Sequence, residues 1–130
     1  MAGVDLKEKA ISLLSSTPLV DMKTASTKRS FYTVPTGKKC IVTHICVREP
    51  TASLAGGSSY AFGSTATCND WNAVAITLVS MTATTDAYTL TASSKVTIYT
   101  AAQVFGMYIT TGSTLAATAT VDVFGYLYDA

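Results

Sequence analysis

Hydrophobic and polar positions follow one period before residue 30 and another after it. Leu6, Ala10, Leu13 and Leu14 recur at helical spacing, behind Asp5 as a candidate N-cap and with Lys7 and Lys9 on other faces. That spacing predicts a short amphipathic helix. A helix of about ten residues is marginal in isolation, so its apolar stripe needs a surface, on its own body or on another subunit. Leu6, Ala10, Leu13 and Leu14 are thus candidate contact residues. From residue 15 to residue 30 the period dissolves into Ser, Thr, Lys and one proline. Extended at ~3.3 Å per residue, such a stretch reaches roughly 50 Å, enough to cross to a neighbour.

From Phe31 onward the period is two. Residues 31–34 read as a strand, Pro35, Thr36, Gly37 and Lys38 as a tight turn, and residues 39–49 as a long strand. Along it Ile41, Thr43, Ile45 and Val47 are the expected core face, alternating with Val42, His44, Cys46 and Arg48. A glycine-serine loop over 55–59 follows, then strands near 60–62, 75–80, 88–91, 96–99, 104–110 and 117–128. About eight short strands with polar turns predict an all-β chain, a β-sandwich of jelly-roll type over 31–130, behind an arm over 1–30.

The closing strand has two faces of different character. Ala119, Val121, Val123 and Leu127 are expected to face the core, leaving Asp122, Phe124, Tyr126 and Tyr128 opposite. Three aromatics on an outer face exceed what a monomer needs and are favoured at interfaces. The reverse assignment, aromatics inward and small residues outward, fits the alternation as well.

Composition sharpens this picture. Of 130 residues, 48% are hydrophobic and only 13% charged, against a usual charged share of about 25%. Charges are depleted at interface cores, so a sparsely charged surface suits a protein held against neighbours. The net charge of +1 argues against broad nucleic-acid binding. Its distribution is uneven: the first 39 residues carry +4 and the remainder −3. No apolar run approaches the ~18 residues of a membrane span. The short apolar stretch near the start is flanked by Asp5 and Glu8 and has no processing site, a pattern that argues against a secretory signal peptide.

Candidate chemistry changes the picture little. Cys40, Cys46 and Cys68 make no disulfide framework and are expected as free thiols of a protein made in a reducing cytoplasm. His44 is the sole histidine and lacks the clustered cysteines of a metal site. No nucleophile elbow or close carboxylate pair is present, so no catalytic residue, metal or cofactor is expected. Thr36, Gly37, Lys38 and Lys39 imitate the end of a phosphate-binding loop, but the upstream glycine is missing. Irregularly spaced Thr-x-Thr triplets lack the fixed period of an ice-binding solenoid. Trp71, the sole tryptophan, sits in a predicted loop with Cys68, Asn69, Asp70 and Asn72. It has three readings: stacking on a sugar, anchoring an interface, or tucking back onto the sandwich edge.

Val34 to Lys38 with the apolar strand after it, the loop from Ser53 to Gly57, Tyr60 to Gly63, Cys68 to Trp71 and the closing Ala117 to Tyr126 together resemble small β-sandwich structural proteins of tailed bacteriophages. The resemblance spans most of 31–128 and omits the arm. It implies a virion protein of the capsid decoration or cement type, made in the host cytoplasm. Such proteins typically sit as trimers on the outer shell and tie capsomers of the major capsid protein together. Neck, tail and fibre proteins of similar shape are the nearest alternatives. A host-attachment or glycan-binding module using Trp71 is the rival from another class. Under the cement reading Leu6, Ala10, Leu13, Leu14, Trp71, Phe124, Tyr126 and Tyr128 are the candidate subunit or capsid contacts.

Overall fold

The computed structural model describes residues 10–72 and 74–130. They form β1 (Ser12–Asp21), β2 (Lys28–Thr33), β3 (Lys38–Arg48), β4 (Ser59–Gly63), β5 (Ala87–Thr91), β6 (Tyr99–Thr100), β7 (Val104–Thr111) and β8 (Thr118–Asp129), with no helix among the described residues. One sheet runs β1, β8, β3, β5, with the short β6 also on β3; the other runs β2, β7, β4. All pairings are antiparallel. A bridge between Tyr60 and Ile76 lays a further piece of chain along β4, closed by backbone bonds of 2.8 and 2.9 Å. The chain is therefore all-β and two-sheeted, an arrangement consistent with a β-sandwich.

The expected N-terminal helix is replaced by strand. Leu13 and Leu14 lie in β1, whose Ser12 to Asp21 pair with β8, and Ala10 is exposed just before it; Leu6 lies outside the described residues. Two features of the sequence favour this outcome. Ser12, Ser15, Ser16 and Thr17 compete for helical backbone bonds, and Pro18 cannot occupy a helix interior. The stretch from 15 to 30 is likewise not a free extended arm: it completes β1, turns, and enters β2.

The core joins inward side chains of both sheets. Val42, Ile45, Val47, Val121 and Val123 from the first sheet meet Tyr60, Phe62, Phe105, Met107 and Ile109 from the second, around Trp71 and Tyr99. Trp71 packs edge-on against Phe62 and Phe105, with ring centroids 6.3 and 6.0 Å away. Its indole N–H donates to the Val42 carbonyl at 2.9 Å.

The core face of β3 differs from strict alternation. Cys40 and Val42 point inward, then Ile45 and Val47, while Ile41 and Thr43 are only half-buried. The cause is a β-bulge: against β8 the register jumps from Val42↔Gly125 to His44↔Phe124. The extra residue, Thr43, reverses the inward parity. Its hydroxyl donates to the Phe124 carbonyl at 3.2 Å. Gly125 is required here, because a Cβ would lie 2.1 Å from the Ile41 carbonyl oxygen.

At one end of the sheets the connecting loops converge on Met22, which is fully buried. Its N–H donates to the Ala117 carbonyl at 3.0 Å, and its own carbonyl accepts the Tyr60 hydroxyl at 2.8 Å and the Ser113 N–H at 3.1 Å. Thr51 N–H to Thr118 and Thr114 N–H to Ala55 tie the remaining loops together.

Candidate interaction surface

The outer face of the first sheet gathers half of the expected contact residues, Leu13, Phe124, Tyr126 and Tyr128. Val121, Val123 and Gly125 of β8 are buried, so the alternate residues Phe124, Tyr126 and Tyr128 face outward, where they are half-buried. The aromatic row thus belongs to the outer face, and the reverse assignment does not hold. Neighbouring strands widen it by register: Leu13 pairs with Phe124 from β1, while Ile41 pairs with Tyr126 and Lys39 with Tyr128 from β3. Leu13 is 54% exposed. The ring of His44, the cross-strand partner of Phe124, stacks on the Phe124 ring, with centroids 4.4 Å apart and planes 7° from parallel, which restricts the orientation of the Phe124 ring.

One end of this face is polar and tightly paired. Asp122 is outward in parity yet buried, because Ser16 donates to one carboxylate oxygen at 2.5 Å and Arg48 Nε to the other at 2.8 Å. Arg48 also bonds Glu49 at 2.8 Å. The hydrogen bond and charge of Asp122 hold the Arg48 pKa above its ordinary value. Cys46 lies opposite Asp122 across the strands, and partial burial, followed by the Asp122 charge, pushes its thiol pKa up. Burial drives Cys40 and Cys68 to about 11. All three are free thiols, and none is poised as a thiolate nucleophile.

The other expected contact residues are dispersed. Leu14 turns inward and packs against the core, opposite in direction to Leu13. Trp71 is 1% exposed, so it offers no ring to a sugar or a partner. It folds back onto its own body, as the third reading expected, but into the core between the sheets and not onto an edge. Sequence alternation did not single out Ile41, because the bulge at Thr43 was needed to turn it outward.

A shallow groove at the loop end is lined by Asp21, Lys23, Thr24, Thr51 and residues 116–118. Asp21 is already committed there, accepting the Lys23 and Thr24 N–H groups at 2.8 and 3.2 Å and pairing with Arg29 at 3.5 Å. Hydrogen bonding from the Thr24 side chain, with these backbone bonds and the Arg29 charge, lowers the Asp21 pKa despite partial burial. Among the described residues, no cluster of His, Cys, Asp or Glu could hold a metal ion. No helix there is long and apolar enough to cross a membrane. No protein-family model, curated protein or solved structure matches this chain.

Proposed function

We propose that this chain is a non-enzymatic structural subunit of a tailed-phage virion, a decoration or cement protein that binds the outer capsid as a homotrimer. The observation that carries the reading is the outer strip of Leu13, Ile41, Phe124, Tyr126 and Tyr128 on a sparsely charged body. Large apolar groups held in register on a rigid sheet suit a permanent protein contact. The strand order supports a jelly roll. If β5 and β6 are taken as one interrupted strand along β3, the sheets read first, eighth, third, fifth-sixth and second, seventh, fourth, with residue 76 beside the fourth. Jelly rolls are frequent among viral shell proteins, and also among lectins. The glycan-binding alternative loses its anchor with Trp71 in the core.

On this reading the partners are sister subunits and the major capsid protein, with no nucleic acid, membrane or cofactor involved. Each copy adds a modest buried area, and many copies together stabilise the shell through mass action and multivalency. The test is co-sedimentation of the purified chain with empty capsids of the phage whose structural genes encode it. Saturable binding at a fixed ratio to the major capsid protein, lost in a Phe124→Ser/Tyr126→Ser variant, is the expected result. A folded chain that leaves the capsids bare, or binds a glycan panel instead, overturns the cement role.

A further inference from the structure

We propose that residues 12–17 of β1 exchange between copies of this chain, each lying on β8 of a neighbouring molecule, with Pro18 and Leu19 as the hinge. This inference is independent of the virion reading.

Within one molecule β1 is an edge strand whose only strand pairing is with β8. Its register jumps from Thr17↔Val121 to Val20↔Ala119, so Pro18 and Leu19 together face one residue of β8. Leu19 has a φ of 56°, the left-handed region that L residues other than Asn and Asp rarely adopt, and the residue is 77% exposed. Pro18 fixes its own φ and biases Thr17 to an extended conformation. A leucine is thus both strained and left in water at the point where the strand kinks.

The two sides of that kink are held unequally. Beyond it, Val20 and Met22 are buried and Met22 is bonded through both its N–H and its carbonyl, so this part stays in its own body. Before it, none of residues 12–17 is fully buried. Such a segment, at a sheet edge and with no fully buried residue, can leave its seat without opening the buried core. If the chain runs straight through Leu19, segment 12–17 reaches an identical seat on a second copy's β8. There Leu14 packs as before and Ser16 again donates to an Asp122. Every contact is retained, Leu19 relaxes to an extended φ, and its side chain lies between two chains. What opposes exchange is the entropy of association.

The test uses Leu13 and Phe124, which pair across β1 and β8. Chains carrying Leu13→Cys and chains carrying Phe124→Cys, both with Cys46→Ser, are unfolded, mixed, refolded and oxidised. Disulfide-linked pairs of unlike chains are expected. Overturning the proposal would be a bond that forms only when both cysteines are on one chain. A second arm adds Leu19→Gly, which removes the left-handed strain without touching the seat on β8. It is expected to lower the yield of unlike pairs roughly ten-fold, with an unchanged or higher Tm. An equal yield with Leu19→Gly excludes these residues as the hinge.

Discussion

Trp71 both fills the core and satisfies the Val42 carbonyl, so its loss has two consequences. Trp71→Phe keeps most of the packing but leaves that carbonyl unpaired, and chemical denaturation should show a loss of about 2 kcal/mol. Cysteine accessibility gives a second check. With Cys40 and Cys68 raised to about 11 by burial, the native chain at pH 8 should resist alkylation at both, while partly exposed Cys46 reacts slowly. Mass spectrometry after alkylation should show all three modified only in denaturant. Asp21 sets a pH dependence of defined sign. Its folded-state pKa lies below the ordinary 3.8, so its ionised form stabilises the fold above that value, and the contribution disappears as pH falls through the lowered pKa. Asp21→Asn should flatten the acid limb of the Tm-against-pH curve and lower Tm modestly at pH 7, since the carboxylate is largely solvated.

At the scale of elements, the bulge in β3 is the most consequential local departure. Gly125→Ala places a methyl against the Ile41 carbonyl, and the expected cost is about 1–3 kcal/mol, measured as a shift of the urea midpoint. Most strands were legible in the sequence because their period-two patterns are backed by turn residues: β3, β4, β5, β7 and β8 fall within two residues of expectation. The N-terminal helix was not. Leu6, Ala10, Leu13 and Leu14 satisfy a helical template, but β1 gains its backbone bonds from β8, a partner more than a hundred residues away that local spacing cannot reveal. Parity in β3 failed for a related reason, because a single extra residue leaves no compositional mark. Pro18 was the available signal, incompatible with a continuing helix and at home in an irregular edge strand.

At the scale of the whole molecule, the aromatic row predicts self-association. Sedimentation of the intact chain at tens of micromolar should report a species larger than a monomer, and Phe124→Ser/Tyr126→Ser should shift it toward monomer without changing the far-UV spectrum. The outer placement of Phe124, Tyr126 and Tyr128 could be read from alternation once Val121 and Val123 were assigned inward. The breadth of the strip could not, because Leu13 and Ile41 join it only through register with β8. The loop end has a different kind of robustness. Tyr60 and Ser113 converge on the carbonyl of Met22, an atom that every amino acid possesses. Substitution at position 22 can change what fills the space beneath the loops but cannot delete the acceptor. Genetic vulnerability is thereby displaced onto the side-chain donors: a point mutation can remove the Tyr60 hydroxyl, at 2.8 Å the shorter of the two side-chain bonds to that carbonyl, or the Ser113 hydroxyl at 3.5 Å, whereas the Ser113 N–H persists in nearly any substitution.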